Sequence, residues 1–357
     1  MTVSTSTVLR SSLLPWLVAA AAVAATHLGV GPWVGDYYTK VLLDVGINIL
    51  LAVSLNLVNG FTGQFSIGHA GFMAVGGYVA GTITYYGGYR LFGGPGPFMN
   101  LGGQALFFAS CVAGGLVSAA FGYLVGLPSL RLRGDYLALV TLGFGEIVRV
   151  LLQQSGDVLF IADEIAATPP LRLATQLGGA LGFTGIPFYS NLAWVYSFVA
   201  ILLLTAFRLK QSTHGRAFLS IREDEIAAEA MGVPTTRLKV RAFVLSAAFA
   251  GIAGALFAHE IGTTLNPREL GFQKSFEVVI MVVLGGMGSI SGAVVAAIVL
   301  TVLPELLRTF AEYRMIAYAL TLVIMMLMRP QGLFGLRELW ELNWFPKNRF
   351  SSTRGRP

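Results

Sequence analysis

The chain has 357 residues and a formal net charge of +6, and 55% of its residues are apolar while only 12% are charged. Soluble proteins carry about 25% charged residues, so this chain has too few charges to cover a soluble protein's surface. Its single cysteine, Cys111, excludes a disulfide scaffold, and the composition predicts a polytopic membrane protein.

About ten segments contain the mostly apolar stretch, roughly 20 residues long, that a spanning helix needs. An open sheet would leave backbone groups unpaired in lipid, and the alternation typical of a barrel is absent, so we expect an all-α fold. The whole chain, 1–357, is expected to form a single transmembrane domain. In chain order the predicted spans are 13–30, 38–58, 68–86, 104–127, 135–153, 191–208, 240–261, 274–288, 290–308 and 313–328.

The first and last spans of this series have distinctive ends. Arg10 precedes an alanine-rich stretch, as in a cleavable signal peptide, but the apolar run continues through Val30. That run is long for a signal core, so we expect the first span to be retained. The last span ends at Arg329-Pro330 because proline cannot continue a helix.

The distribution of Lys and Arg predicts the orientation. With the N-terminus inside, roughly two thirds of the 24 Lys and Arg residues lie on the cytoplasmic side, mostly in a segment at 209–239 and a tail at 329–357. An even number of spans then places both termini in the cytoplasm. The basic net charge is therefore a topology signal and does not indicate nucleic-acid binding.

Glycine and polar residues interrupt the apolar pattern at two places. Residues 59–71 read NGFTGQFSIGHAG, and residues 285–292 read GGMGSISG. Glycine permits unusual backbone angles, and Ser or Gln side chains can satisfy backbone groups freed from a helix. Two interpretations stay open, a short cytoplasmic loop or a broken helix that lines a translocation pathway. The candidate pathway residues are Gly63, Gln64, Ser66, His69, Gly285, Gly288 and Ser291.

These two stretches also share a spacing. Gly60, Gly63 and Ser66 repeat as Gly285, Gly288 and Ser291 in the pattern G-x-x-G-x-x-S. Internal symmetry of this kind is common in transporters. The predicted topology puts both stretches on the same side of the membrane.

The segment 209–239 contains the third departure from a plain spanning pattern. Residues 217–231 predict one short amphipathic helix, which Gly232 and Pro234 end. The helix could lie on lipid, but an anionic leaflet favours basic residues, and acidic residues are in excess here. A protein partner is therefore the favoured interpretation. The candidate contact residues are Phe218, Ile221, Arg222, Glu223, Asp224, Glu225, Glu229 and Gly232.

Ionisable residues inside spans are candidates for function because burying a charge in hydrocarbon is expensive. Glu146 with Arg149 and Glu305 with Arg308 have i,i+3 spacing, so the two members of each pair are expected to neutralise each other. His69 and His259 are expected to be hydrogen-bonded structural groups. The clearest intraspan residues are Asp44, Glu146, Arg149, Glu277, Glu305 and Arg308.

The sequence lacks the motifs of metal, hydrolytic and ATP-binding sites. The sequence contains no HExxH, no Cys/His cluster and no GxSxG, so we expect neither metal nor hydrolytic chemistry. No lysine follows a glycine, so the phosphate-binding loop of ATPases is absent. We expect no cofactor on this chain, and any ATP that powers it must be bound by another chain.

Five runs together carry a family resemblance. They are LNLVNGFTGQFSIGHAGF at 55–72, GDYLALVTLGF at 134–144, the segment 215–232, VVLGGMGS at 282–289 and RPQGLFG at 329–335. In this order they closely resemble branched-chain amino-acid ABC permeases, especially the LivM type. Two regions depart from the family pattern. The extracellular stretch has an insert at about 157–176 and has Leu177 and Leu181 where the family tends to have threonine and asparagine, and the segment 215–232 lacks a clean E-A-A-x-x-x-G.

The resemblance implies a channel-forming, non-enzymatic subunit of a bacterial inner-membrane importer. It also implies four kinds of partner: a second homologous permease of the LivH type, two cytoplasmic ATPase subunits, an extracytoplasmic binding protein and membrane lipid. Residues 217–232 would then couple the permease to an ATPase. The favoured substrates are leucine, isoleucine and valine, with other small amino acids as an open alternative.

Two alternative functions stay open. A proton- or sodium-coupled carrier would use Asp44 and Glu277 as titrating groups. An ABC permease for urea or amides would have the same architecture.

Overall fold

The computed structural model describes residues 35–94, 101–129, 135–260 and 264–310, with single positions at 23, 316, 319, 320, 323, 324, 327, 332, 333, 335 and 338. Within that part of the chain the fold is helical, and extended pairing is limited to two isolated bridges, Gly156 with Gln176 and Phe183 with Leu265. The all-α prediction is confirmed for these residues.

Twelve α-helices follow one another in the described ranges. They are α1 Asp36–Asn59, α2 His69–Phe92, α3 Leu101–Ser129, α4 Asp135–Gln153, α5 Ala162–Ala167, α6 Pro170–Leu173, α7 Leu192–Gln211, α8 Thr213–Glu223, α9 Glu225–Ala230, α10 Thr235–Ala258, α11 Phe272–Gly285 and α12 Ile290–Leu306. Short 3₁₀ turns occupy Gly179–Leu181 and Leu307–Phe310.

The predicted spans from 38–58 to 290–308 each correspond to one long helix, although α2 continues to Phe92. In the described part of the chain, five helices, α1, α3, α4, α7 and α10, are long and apolar enough to cross a membrane. The predicted span 13–30 lies outside the described residues apart from Val23. So do most of 313–328, the Arg329-Pro330 stop and most of the tail 329–357.

Helix α1 forms the centre of the bundle. Every side chain from Val45 to Asn59 is buried, and the helix packs against α7, α10, α11 and α12. A helix that is apolar on all sides belongs in the interior of a protein or membrane. By contrast, α3 and α4 expose large apolar side chains that suit contact with lipid, among them Leu116, Leu124, Leu139, Ile147 and Leu151.

Small residues bring α2, α3 and α10 into close contact. A Cβ added to Gly114 would lie 2.7 Å from the carbonyl oxygen of Gly76, and one added to Gly76 would overlap the backbone of Gly251. The Ser118 hydroxyl donates to the Phe72 carbonyl at 2.9 Å in the same region. Helices in lipid associate through such small residues because lipid provides no hydrophobic drive between them. The high glycine content therefore serves helix packing.

The bundle has two polar ends, which are separated by roughly 30 Å along α1 at 1.5 Å per residue. The loop end comprises the last turn of α1, the residues around α8 and α9, the turn between α11 and α12, and the described positions 332–338. The opposite end contains a polar cavity and is called the cavity end. It comprises the first turns of α1, the residues after α10 and the first turn of α11.

The insert at 157–176 folds as α5 and α6 and packs on the last turns of α2. The Tyr85 hydroxyl donates to the Leu159 carbonyl at 3.1 Å, and the Tyr86 hydroxyl donates to the Gln176 carbonyl at 2.7 Å. The bridge from Phe183 to Leu265 ties the following residues to the chain after α10. The insert therefore belongs to the cavity end.

Candidate coupling site and polar cavity

The two glycine-rich stretches meet at the loop end. We call residues 60–68 the first glycine loop and residues 286–289 the second glycine loop. The buried Asn56 side chain donates to the Ser289 carbonyl at 2.9 Å and accepts from the Gly288 N–H at 2.8 Å. Gly288 has φ +95°, a conformation that favours glycine. One asparagine on α1 thus fixes the second loop beside the first.

The first glycine loop joins two helices of 24 residues each, so it connects complete helices and does not interrupt one. Gly63 is exposed and Gln64 is partly exposed. Ser66 is buried, and its N–H donates to the Asn59 side chain at 3.1 Å. His69 is buried and bonds the Ser54 hydroxyl at 2.8 Å. The candidate pathway residues of this loop therefore divide into an accessible pair and an internally bonded pair.

The second glycine loop is covered by the described C-terminal positions. Gly285 lies against Gly292, and the Leu333 N–H donates to the Leu284 carbonyl at 2.7 Å. The Ser291 hydroxyl donates to the Glu338 carboxylate at 2.6 Å. Gly285, Gly288 and Ser291 are thus packed or bonded within the chain, and their place in a pathway stays a prediction.

Glu338 stabilises the start of α12. Its carboxylate accepts the backbone N–H groups of Ile290 at 3.1 Å and Ser291 at 3.0 Å, which a helix N-terminus leaves unpaired. It also forms an ion pair with Lys210, whose ammonium donates to the Gly288 carbonyl at 3.1 Å. Burial acts to raise the pKa of Glu338, but the hydrogen bonds from Lys210, Ser291 and Ile290 outweigh it and hold this pKa below its ordinary value.

The segment after α7 forms two short helices, so the prediction of a single helix over 217–231 is wrong. Asp224 breaks it with φ −154° and ψ 110°, and its carboxylate accepts from the N–H groups of Ile226 at 2.9 Å and Ala227 at 3.0 Å. Asp224 is therefore the N-cap of α9, a position that aspartate strongly favours. The segment ends at Gly232, which has φ +83°.

The predicted contact residues of this segment have different surroundings. Phe218 and Ile221 are buried within the chain, and the Glu225 carboxylate pairs with the buried Lys239 ammonium at 2.5 Å. Apart from the exposed N-cap Asp224, the accessible acidic residues are Glu223 and Glu229. The large accessible apolar residues are Ile226 and Met231, which are 67% and 84% exposed. We call these last four residues the exposed rim.

Arg222 connects α8 to both glycine loops. Its guanidinium donates from Nη1 to the Gly60 carbonyl at 2.8 Å and to the Met287 carbonyl at 3.3 Å. Its side-chain carbons lie beside Gly63, because a Cβ added to Gly63 would be 3.2 Å from the Arg222 Cγ. A single side chain therefore joins α8 to both loops.

A polar cavity of about 380 Å³ opens at the opposite end of α1. Its lining residues are Lys40, Asp44, Phe257, Glu260, Thr264, Asn266 and Glu269. Of these, only Asp44 is a candidate on sequence grounds. The i,i+4 spacing of Lys40 and Asp44 on one helix face was the available signal. Glu260 and Glu269 reach the cavity through tertiary packing, which no local pattern indicates.

The other intraspan charges form pairs, two of which were expected and one of which, that of Glu277, was not. Glu146 lies 2.7 Å from Arg149, and Glu305 lies 3.6 Å from Arg308. Glu277 is 3.3 Å from Lys274. His259 bonds the Thr84 hydroxyl at 2.7 Å, which confirms its structural role. Among the described residues no group of three or more His, Cys, Asp or Glu side chains could hold a metal ion.

Comparison with known proteins agrees with this architecture. The family model for the branched-chain amino acid transport system permease component matches residues 37–329. The high-affinity branched-chain amino acid transport system permease protein LivM of Salmonella typhimurium is 40% identical over 304 residues, which are 80% of this chain and 67% of that protein. LivH of Escherichia coli is 26% identical over 296 residues, 81% of this chain and 92% of that protein.

A more distant relative extends the comparison beyond bacteria. The probable branched-chain amino acid transport permease protein LivM of Methanocaldococcus jannaschii is 24% identical over 334 residues, 87% of this chain and 92% of its own length. No solved structure matches the chain. The family model covers most of the sequence, including every long helix described above, and the chain belongs to the family of branched-chain amino acid transport permeases.

Proposed function

We propose that this chain is the channel-forming subunit of an importer that carries branched-chain amino acids and is driven by ATP hydrolysis in partner subunits. The names of its relatives support the substrate class. The lack of a phosphate-binding loop supports a separate ATPase, since no lysine follows a glycine. The chain itself would hold no cofactor and act as a permease, not as an enzyme.

In this proposal residues 1–357 form one multi-pass domain of about ten spans in the bacterial inner membrane, with both termini in the cytoplasm. The bias of Lys and Arg supports this orientation. The loop end would then face the cytoplasm, and the cavity end would face the opposite side. A substrate would enter at the cavity and leave near the glycine loops.

The contact of Arg222 with both glycine loops is the observation that carries the proposal. An importer must convert a movement of its ATPase into a movement of its permease. The exposed rim, Glu223, Ile226, Glu229 and Met231, offers apolar anchors surrounded by charge, as helix-in-groove docking requires. Arg222 lies on α8 directly before this rim and binds the Gly60 and Met287 carbonyls.

Partners of four kinds complete the assembly. The chain resembles LivM and LivH over similar shares of its length, which supports pairing with a second, LivH-like permease. Two cytoplasmic ATPase subunits would dock at the loop ends, and an extracytoplasmic binding protein would deliver substrate to the cavity end. Exposed apolar residues on α3 and α4 would contact membrane lipid.

An ion-coupled carrier is the second candidate, because Asp44 lines a polar cavity with other carboxylates. Glu277, its other proposed titrating group, is instead half-exposed and paired with Lys274. Such a carrier has no use for the exposed rim. A urea or amide permease would differ from the proposal in substrate alone.

Uptake by the purified complete importer in proteoliposomes distinguishes these candidates. We expect leucine uptake to require ATP and a loaded binding protein, and to continue when an ionophore collapses the proton and sodium gradients. Arg222→Ala should lower uptake by about 10-fold or more, because two charge-assisted hydrogen bonds are lost. Arg216→Ala, on the exposed face of the same helix, serves as the matched control and should retain uptake. Uptake that needs an ion gradient instead of ATP would refute the importer, and urea uptake without leucine uptake would refute the substrate.

A further inference from the structure

Glu260 follows the last turn of α10 and is fully buried. Neither oxygen of its carboxylate has a hydrogen-bond partner among the described residues. A buried carboxylate without partners is strongly unfavourable and is normally paired or bonded. The Glu338 carboxylate, equally buried at the loop end, accepts several hydrogen bonds. Glu260 thus has the acceptor capacity for a donor that comes from outside the chain.

The cavity beside Glu260 has the size and charge for a small cationic group. Its volume of about 380 Å³ lies near the lower limit of small-molecule sites, which occupy about 300–1,000 Å³. Three carboxylates, Asp44, Glu260 and Glu269, line it against one ammonium, that of Lys40. Asp44 and Glu260 interact with each other, and the Lys274 ammonium, which donates to the Asn48 side chain at 3.2 Å, interacts with both; the carboxyl groups still outnumber the two ammonium groups. The excess of negative charge favours a positive ligand, while Lys40 provides a partner for an anionic group.

A polar stripe on α1 leads inward from this cavity and then stops. Lys40, Asp44 and Asn48 repeat at i,i+4 spacing, so they share one face of the helix. Asn48 is held by a hydrogen bond to Thr301 at 2.9 Å. The next position of the stripe is the fully buried Ala52. A solute in the cavity is therefore at the mouth of a route that is closed below it.

We propose that Asp44 and Glu260 bind the ammonium group of a zwitterionic amino acid at the mouth of the translocation route, with Lys40 facing its carboxylate. The proposal rests on the importer function given above and names the subsite that first receives the substrate. Half-buried Phe257 contributes an apolar wall for the side chain. Binding is weak, because a transport site must release its solute.

Thiol protection in the assembled importer tests the subsite without relying on transport. In a Cys111→Ser background, Thr264→Cys places one thiol at the exposed cavity wall. Its reaction with a water-soluble thiol reagent is followed on this chain in the absence of binding protein. The probes are leucine, 3-methylbutylamine, which lacks the carboxylate, and 4-methylpentanoate, which lacks the amine.

We expect leucine at about 50 mM to slow the reaction about 6-fold, as a dissociation constant of about 10 mM requires. The amine should also protect the thiol, and 4-methylpentanoate should not. Glu260→Gln and Asp44→Asn should each remove most of the protection. Glu305→Gln makes the same change in a different cavity at this end and should leave protection intact. Gel filtration of each assembled complex verifies that the variants fold.

Equal protection by leucine and 4-methylpentanoate would overturn the proposal. So would protection that survives both Glu260→Gln and Asp44→Asn, or no protection by leucine at any soluble concentration. These outcomes are separate from a failure of the importer function. A wild-type complex that imports leucine with ATP but shows no amine-dependent protection refutes the subsite alone, whereas a complex without ATP-driven uptake refutes the proposed function.

Discussion

The loop end and the cavity end are both polar, but their polar groups are satisfied in opposite ways. At the loop end, Asn56, Arg222 and Glu338 each bond two or more groups from distant parts of the chain. At the cavity end, both oxygens of the buried Glu260 have no hydrogen-bond partner among the described residues. A buried glutamate therefore joins segments of the chain at the loop end, where it is Glu338, and keeps its acceptor capacity for a ligand at the cavity end, where it is Glu260.

This difference follows from what each end has to do in an importer. A buried carboxylate that accepts several hydrogen bonds holds neighbouring segments in one arrangement and transmits force between them. A carboxylate without partners contributes no such connection and instead raises the free energy of the folded state. Substitution of acidic residues at the two ends should therefore have effects of opposite sign.

The largest effect is expected at the start of α9. Glu225→Gln removes the charge that faces Lys239, whose side chain is only 3% exposed. Loss of one partner of a buried ion pair costs about 3–5 kcal/mol, and the partial exposure of Glu225 places our expectation at about 3 kcal/mol. Reversible unfolding in mixed micelles measures this loss. Glu223→Gln, two residues earlier and exposed, is the control and should change stability by less than about 0.5 kcal/mol.

A second variant, measured by unfolding and by ATPase binding, separates folding from docking. Glu223→Lys together with Glu229→Lys changes only exposed rim residues. We expect this double variant to unfold like the wild type and to lose ATPase binding in a pull-down from detergent. Normal ATPase binding by the double variant would contradict the docking role of the rim.

The next effect concerns Glu338 and its dependence on pH. Burial raises the pKa of this carboxyl, but hydrogen bonds from Lys210, Ser291 and Ile290 hold it below the ordinary value of 4.5. The stability it contributes is therefore complete above the unfolded pKa and is lost as pH falls through the lower, folded pKa. Glu338→Gln should destabilise the protein by about 2 kcal/mol at pH 7, as expected for hydrogen bonds to a charged group.

Measurement of unfolding between pH 7 and about pH 3 checks the sign. The difference in stability between wild type and Glu338→Gln should shrink as the pH falls. Glu305→Gln, which breaks the exposed pair with Arg308, provides the comparison and should cost less than about 1 kcal/mol. A difference that grows at acid pH would show that the carboxyl is not ionised in the folded state.

Accessibility of the first glycine loop gives a smaller but direct contrast. Phe65 is 38% exposed and Ser66 is 2% exposed, although they are adjacent. In a Cys111→Ser background, we expect Phe65→Cys to react with a water-soluble thiol reagent at least about 10-fold faster than Ser66→Cys, which corresponds to about 1.4 kcal/mol for opening the loop. Equal rates would indicate that the loop opens freely to water and would support the prediction of Ser66 as a pathway residue.

The sequence predicted the features that local patterns encode. Hydropathy located the spans from 38–58 to 290–308, and i,i+3 spacing found the pair Glu146 and Arg149. It did not predict the break at Asp224, because the apolar period continues across this residue while its capping bonds depend on backbone geometry. The contact between Glu338 and the start of α12 joins residues nearly 50 positions apart, and no local pattern reports such a contact.

The site residues also differ in whether a local pattern or only tertiary packing identifies them. Asp44 was recognisable because a charge inside an apolar span stands out. Glu260 lies at the margin of a predicted span, where charges are common, so only its burial and lack of partners distinguish it. Arg222 was recognised as part of a charged segment, but its contacts with the Gly60 and Met287 carbonyls depend on three separate segments coming together.

The smallest expected effect is the most informative about the comparison, because its sign should be reversed. Glu260→Gln keeps the size of the side chain and removes an unpartnered buried carboxyl group. An uncharged amide is easier to bury than a carboxylate, so we expect this variant to be more stable than the wild type by about 1 kcal/mol in micelles without amino acid. Addition of leucine should stabilise the wild type, since a ligand that binds only the folded state shifts unfolding by mass action, and should not stabilise Glu260→Gln. Glu338→Gln makes the identical chemical change at the loop end and is the matched control. Destabilisation by Glu260→Gln of the size expected for Glu338→Gln would show that Glu260 has structural partners after all, and the contrast between the two ends would be lost.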